Sequence, residues 1–222
     1  MQQLQISQVL QTETFPALSR NVRKASKAVF DFAFAIVLLP VLIPIIGVLY
    51  VLTRLDGGPG FYGHVRVGRD GRLFRCWKIR SMVPDAQAVL KRHLDENPEA
   101  AAEWARDFKL TDDPRVTRLG NFLRRTSLDE LPQIWNVLRG DMSFVGPRPV
   151  TEAEMPKYRG YEWSYLSMKP GITGLWQVSG RNDLSYATRV RLDAAYCRRR
   201  TFLGDLAIIG RTAGAVLGRT GR

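Results

Sequence analysis

The chain has 222 residues and a mass of 25.1 kDa, enough for one domain of ordinary size with an appendage and too little for two full domains. Its 33 Lys and Arg against 21 Asp and Glu leave a net charge of +12 and a pI near 10.2, which excludes an acidic solvated chain and asks for an anionic partner. Two cysteines and two histidines, Cys76, Cys197, His64 and His93, exclude a disulfide scaffold, a Cys- or His-based zinc site and a His-based nucleophilic triad, so any chemistry falls to carboxylates and arginines.

Residues 1–27 read as a loosely ordered lead-in ending in the basic cluster Arg20, Arg23, Lys24 and Lys27. Residues 32–53 then run for 22 positions without a charge, and a helix of that length reaches roughly 33 Å, the thickness of a bilayer core. A membrane segment over 28–55 follows. A cleaved signal peptide fits less well, because the stretch starts late, is too long and lacks a small-residue cleavage site. A buried core helix is the other reading, but soluble cores rarely supply so long an all-round apolar face.

Pro40 and Pro44 fall in the middle of the segment, where each removes a backbone hydrogen bond, and they predict a sharp bend. Basic residues flank both ends, with Arg54, Arg66, Arg69 and Arg72 on the far side, so the positive-inside bias places both ends in the cytoplasm. A re-entrant helix-break-helix with arms at 32–43 and 45–53 satisfies both observations; a Pro-kinked straight span is the alternative.

The turn cluster Asp56-Gly57-Gly58-Pro59-Gly60 closes the membrane part and opens a domain over 56–222. Apolar positions on either side of Gly68-Arg69-Asp70-Gly71 predict a β-hairpin within 61–82. Residues 85–95 and 98–108 predict two helices, the second opened by Asn97-Pro98-Glu99 with a cap, a proline at the first helical position and an early acid. No period of repeats is present, which excludes solenoids and propellers.

The densest chemistry lies at 113–150, DPRVTRLGNFLRRTSLDELPQIWNVLRGDMSFVGPRPV. Ser127-x-x-Glu130 fits a capping box and Arg139-Gly140 a helix stop, so Asp129 and Glu130 could serve only as a good cap. The alternative is that Pro132 keeps both acids in the first turn, about 100° apart around the axis, where they flank a shared ligand and suit one divalent metal and one nucleophile. Arg115, Arg118, Arg124, Arg125, Arg139 and Arg148, with Lys78 and Arg80 upstream, supply the cations that a carboxylate needs in order to attack phosphorus. Phosphoryl transfer and a merely basic membrane-facing surface both fit these residues. Residues 189–222, with eight Arg against two Asp, predict basic and apolar helices lying on lipid headgroups, the other reading being a solvated basic helix.

The string 113–149, together with KIRSM at 78–82 and KPGITGLWQVSGRND at 169–183, resembles the bacterial sugar transferases that start polysaccharide assembly, the monotopic phosphoglycosyl transferases. The resemblance covers residues 27–218. Undecaprenyl-phosphate galactose phosphotransferases and exopolysaccharide-initiating transferases are similar also in the YGHVRVG hairpin and the EWARDFKLTDDPRVT stretch.

The resemblance implies an α+β, mostly helical fold: a re-entrant membrane helix-break-helix, then a cytoplasmic α/β catalytic domain with a small β-hairpin and amphipathic interfacial helices. It implies Asp129 as nucleophile, Glu130 with Asp129 as the Mg²⁺ site, Arg124 and the Arg148 of Pro147-Arg148-Pro149 on phosphate, Lys78 and Arg80 as a basic pair, and Arg181 on the nucleotide. One position departs from the family pattern, where a Ser before the proline is usual and Ile43 precedes Pro44. The implied reaction moves a sugar-1-phosphate, galactose first and glucose next, from a UDP-sugar to polyprenyl (undecaprenyl) phosphate through a phospho-sugar-Asp intermediate, releasing UMP and initiating exopolysaccharide, O-antigen or capsule.

The implied setting is the bacterial inner membrane, with the catalytic domain on its cytoplasmic face and with UDP-sugar, polyprenyl phosphate and inner-membrane lipids as partners, not nucleic acid. A homo-oligomer is compatible with the sequence. The rival readings are a non-catalytic membrane scaffold of a polysaccharide machine and a membrane-tethered nucleic-acid-binding protein. The second would use the +12 charge but leaves the Asp129-Glu130 pair unexplained.

Overall fold

A computed structural model of the chain describes residues 20–107, 110–180 and 183–217. It opens with α1, Arg20–Arg54, a single α-helix of 35 residues. The helix takes in residues 20–27, which the sequence assigns to the lead-in, and it passes through Pro40 and Pro44 without interruption. The expected break between two arms is therefore absent. Both prolines are exposed and four residues apart, so the missing N–H groups fall on one side and the ladder on the docked side stays whole.

That docked side is a stripe at intervals of three and four. Ala35 and Leu49 are buried, and Phe34, Leu38, Leu42 and Ile46 pack against the cores of the domain. Polar contacts close both ends: Lys27 Nζ lies 2.7 Å from Asp205 Oδ2, Asp31 Oδ1 accepts from the Phe144 amide at 3.2 Å, and the Thr53 carbonyl accepts from Arg80 Nη2 at 3.0 Å. The opposite face exposes Val37, Val41, Val48 and Val51. By length and composition α1 is able to cross a membrane, yet both of its ends rest on the same domain.

The hairpin forms as the alternation predicts. β1, Phe61–Val67, pairs antiparallel with β2, Leu73–Ile79, in the register His64↔Cys76 and Tyr62↔Lys78. Asp70 (φ 59°) and Gly71 (φ 78°) make the left-handed corner between them. α2, Ala86–Glu96, and α3, Pro98–Asp107, follow at their expected places, although the Asn97 amide turns back to the His93 carbonyl at 3.0 Å.

α4, Arg118–Thr126, starts at Thr117, whose hydroxyl accepts from the Gly120 amide at 2.9 Å. Gly120 packs so closely on the end of the hairpin that a Cβ there would meet the Ser81 carbonyl at 1.9 Å. α5, Gln133–Arg139, ends at Gly140 (φ 81°), the predicted stop. β3, Ser143–Val145, then runs parallel to β4, Gly171–Thr173, a pairing of two three-residue strands that hydropathy does not announce. Between them lie a 3₁₀ segment, Glu152–Tyr158, and the short α6, Glu162–Leu166.

α7, Tyr186–Arg199, corrects the expectation of a headgroup helix. Val190, Leu192, Asp193, Ala194, Ala195 and Tyr196 are buried in it, so it is a core element whose arginines face outward. α8, Phe202–Leu217, exposes Phe202, Leu203 and Leu206 while Ile208 packs inside. The fold is α+β and mostly helical, with two small sheets of two strands each among the described residues.

Candidate active site

The stretch that carries Asp129 and Glu130 is built as a sharp entry, not as a helix cap. Ser127 ends α4 in the left-handed region (φ 57°), a conformation that costs a non-glycine residue about 1 kcal/mol or more. A single 3₁₀ turn, Leu128–Glu130, follows, and Pro132 stands as the N-cap of α5. The Ser127 side chain makes no capping bond to that turn, so the capping box expected from Ser127-x-x-Glu130 does not form. The reversal at Ser127 instead aims Asp129 inward, where it is buried.

Lys78 reaches this pair from the hairpin. Its Nζ lies 2.6 Å from Glu130 Oε1 and 3.4 Å from Asp129 Oδ2. Arg148 Nη1 stands 4.0 Å from the same Glu130 oxygen, with its side chain 46% exposed and free to meet a ligand. Burial pushes the Asp129 carboxyl above the usual carboxylate range, opposed mainly by Lys78 and reinforced by Glu130. Burial acts on Glu130 too, but Lys78 and Arg148 outweigh it and hold that carboxyl below its ordinary value. Two adjacent acids thus have environments that differ in sign, the pattern that separates roles in a catalytic pair.

The cleft beside them is lined by Arg66, Cys76, Lys78, Glu130, Gln133 and Arg148. Arg66 was not singled out as a site residue from sequence; its signal is the register, because Tyr62, His64 and Arg66 share one face of the ribbon with Phe74, Cys76 and Lys78. Its guanidinium donates to Glu154 Oε2 at 3.0 Å and to the Pro149 carbonyl at 3.2 Å, which anchors the Pro147-Arg148-Pro149 segment beside the cleft. Arg66 Nη2 also donates to His64 Nδ1 at 3.1 Å. Burial and then the Arg66 charge push His64 down, so its ring is neutral at pH 7 and accepts that bond. Glu154, equally unremarked in the sequence, takes the Thr151 amide and hydroxyl at 2.8 and 3.0 Å and so fixes the other end of the clamp.

The remaining expected residues divide. Arg124 is exposed, donates from Nε to Ser81 Oγ at 2.9 Å, and lowers Asp129 electrostatically from nearby. Arg80 is elsewhere engaged. It is buried, and all five of its N–H donors are used: Nε to the Pro59 carbonyl at 2.7 Å, Nη1 to the Met82 carbonyl at 2.6 Å and Asp56 Oδ2 at 3.4 Å, and Nη2 to the Thr53 carbonyl at 3.0 Å and Asp56 Oδ1. In this arrangement it ties the end of α1 to the hairpin and offers phosphate nothing. Arg181 lies outside the described residues.

Among the described residues no group of three or more His, Cys, Asp or Glu gathers to cage a metal. Asp129 and Glu130 are the kind of donor set Mg²⁺ uses, since that ion is commonly held by one or two carboxylates with phosphate oxygens and water completing the shell. The Lys78 ammonium, close to both carboxylates, shows that the pair accommodates a cation.

The chain matches the bacterial sugar transferase family model over residues 22–219. It is 52% identical over 208 residues to a UDP-galactose-lipid carrier transferase of Erwinia amylovora, covering 92% of this chain and 44% of that protein. It is 50% identical over 204 residues to an undecaprenyl-phosphate galactose phosphotransferase of Salmonella typhimurium, covering 92% and 43%. An exopolysaccharide production protein of Sinorhizobium fredii is 48% identical over 198 residues, 89% of this chain and 88% of the relative. The chain therefore spans less than half the length of the first two and most of the third.

Proposed function

Because the chain belongs to the bacterial sugar transferase family, we propose that it transfers a sugar-1-phosphate, galactose in the first instance, from a UDP-sugar to undecaprenyl phosphate and so begins an exopolysaccharide, O-antigen or capsule chain. The observation that carries this reading is the meeting of Glu130, Lys78 and Arg148 at one cleft, with the buried Asp129 carboxylate 3.4 Å from Lys78 beside it. The names of the Erwinia and Salmonella relatives support both the class of acceptor and the choice of galactose.

The reaction is a double displacement at phosphorus. A carboxylate oxygen of Asp129 attacks the β-phosphorus, the bond from that phosphorus to the oxygen bridging the two phosphates breaks, and UMP departs with the electron pair. The sugar-phosphoryl group then rests on Asp129. A phosphate oxygen of the lipid carrier attacks the same phosphorus, the bond to Asp129 breaks, and the free carboxylate returns with polyprenyl-diphospho-sugar as product.

Lys78 opposes the upward push of burial on Asp129 and so favours its ionised, attacking form. Arg148 and Arg124 face the phosphate oxygens, whose charge would otherwise repel the attacking carboxylate. Arg66 and Glu154 act as positioning residues that hold the Pro147-Arg148-Pro149 segment in place. Glu130, with Asp129, would hold Mg²⁺, which when bound neutralises charge on the diphosphate.

The lipid acceptor requires a membrane setting, and α1 supplies it. The unbroken helix is proposed to bed into the bilayer from one side without crossing it, a reading supported by the docking of both its ends on a single domain. That side is the cytoplasmic face of the inner membrane, where nucleotide sugars are found. Membership of the family speaks against the nucleic-acid and scaffold readings.

The test is UMP release from UDP-galactose and UDP-glucose by detergent-solubilised protein with Mg²⁺ and polyprenyl phosphate. Asp129→Asn is expected to abolish release while leaving the protein folded. Release that persists in Asp129→Asn, or no release from either UDP-sugar, would overturn the reading.

A further inference from the structure

A second cavity, of about 250 Å³, lies where the start of α1 meets the junction of α7 and α8, and it shares no lining residue with the Asp129 cleft. Four cations line it: Lys27, Arg69, Lys169 and Arg200. One acid, Asp31, stands among them.

The acids nearby are already engaged. Asp31 Oδ1 accepts from the Phe144 amide at 3.2 Å and lies 3.8 Å from Lys27, and Asp205 takes Lys27 at 2.7 Å and the Tyr196 hydroxyl at 2.6 Å. Arg69 pairs with the exposed Asp70, at 3.2 Å, and with no other carboxylate among the described residues. Lys169 and Arg200 have no carboxylate within 4 Å among the described residues. Lys169 is half-buried beside Gly140, and burial, then the charge of Arg69, lowers its affinity for a proton. A bound anion would relieve that crowding.

The surroundings say where the anion comes from. Lys27 and Ala28 lead directly into the exposed Val29 of α1, and Arg200 precedes the exposed Phe202 and Leu203 of α8. The two elements touch through the Phe30 and Phe202 rings, edge to face at 5.1 Å between centroids. A basic cavity thus borders apolar surface on two helices, the arrangement that takes a charged headgroup with its acyl chains beside it.

We propose that this cavity binds the phosphate of an anionic membrane lipid, as a site separate from the acceptor-binding cleft at Asp129. The proposal rests on the membrane association given above and not on the chemistry of Asp129. The lipid phosphate would be gripped by Lys169 and Arg200 and would hold the α1–α8 edge at the headgroup level.

The test footprints Lys169 in the purified full chain by acylation with an amine-reactive ester, read by mass spectrometry. It is run in neutral detergent micelles with phosphatidylglycerol, with phosphatidylcholine, or with inorganic phosphate. Phosphatidylglycerol alone is expected to slow acylation of Lys169 about tenfold, as a charge-assisted contact withdraws the amine. Arg200→Gln is expected to weaken the apparent affinity for phosphatidylglycerol about tenfold.

Equal protection by inorganic phosphate would overturn the lipid as source. No protection by any probe, or the same response in Arg200→Gln as in the wild type, would overturn the site. The wild-type footprint decides the matter even where the variant fails to fold. UMP release, followed in parallel without phosphatidylglycerol, reports on Asp129 alone, so failure of the transferase reading and failure of this one remain distinct.

Discussion

Asn136, wholly buried, holds the backbone of Trp77: its Oδ1 accepts from the Trp77 amide at 3.0 Å, and its Nδ2 donates to the Arg75 carbonyl at 2.8 Å. Among the described residues β2 is paired on one side only, with β1, so this amide does on its other edge what a third strand would do. The helix that follows Asp129 and Glu130 is thereby fastened to the strand one residue before Lys78. The two halves of the charged cluster keep their spacing through one side chain.

Replacing that amide should disturb both stability and reaction. Asn136→Ala leaves a buried N–H and a buried carbonyl unpaired, at about 1–3 kcal/mol each. Urea unfolding is expected to show a loss of about 2–5 kcal/mol, and UMP release per folded molecule is expected to fall as Lys78 loosens. A variant with wild-type stability would contradict the role given to Asn136.

Lys78→Met removes the cation that opposes burial of Asp129. The Asp129 carboxyl, already above the usual range, then rises further, and the attacking form needs the ionised state. The acidic limb of the pH–rate profile for UMP release is therefore expected to move to higher pH, with at least about a tenfold lower rate at pH 7. An unmoved acidic limb would show that Lys78 does not set the ionisation of Asp129.

Arg80 offers a choice between a structural and a phosphate-binding role. Arg80→Lys supplies at most three of the five donors, so buried carbonyls at the end of α1 lose their partners. The expected cost is about 3 kcal/mol, or roughly 6–12 °C in Tm, with faster proteolysis at the turn 56–60. Unchanged Tm with a raised KM for the UDP-sugar would restore Arg80 to the substrate.

Asp193 predicts a pH dependence of stability. It is buried, its Oδ2 accepts from the Tyr158 hydroxyl at 2.9 Å, and burial pushes it up to about 8. In the unfolded chain an aspartate titrates near 3.9. Between those values the unfolded state gives up a proton that the folded state retains, so the contribution of Asp193 to stability is fullest below about pH 4, falls as pH rises towards about 8, and levels off above it. Asp193→Asn should flatten this window in chemical denaturation and be the more stable form at pH 8. Identical profiles would remove Asp193 as the source.

Much of this was legible in the chain. The hairpin follows from alternation around an Asp-Gly corner, and Asp129, Glu130, Lys78 and Arg148 meet where the motifs led one to look. What stayed hidden has common physical causes. Ser127-x-x-Glu130 reads as a cap because local pattern cannot show that the chain reverses at Ser127 to carry Asp129 inward. An arginine beside a strand end looks the same whether it meets phosphate or carbonyls, and only the fold brings Thr53, Pro59 and Met82 around Arg80. α7 was misread because its arginines are more conspicuous than the buried positions between them. β3 and β4 pair across a long stretch of chain, and three residues each are too few for a periodicity.

The stripe on α1 bears on how the protein is handled. Ala35 and Leu49 are interior residues of two different cores, and Phe34, Leu38, Leu42 and Ile46 close those cores from outside. Trimming the hydrophobic segment to obtain a tractable soluble enzyme would strip the lid from Met142, Phe144, Ile79 and Leu123 at once. Cutting α1 away would open the interior of both cores, so the apolar helix and the rest of the fold have to be obtained together.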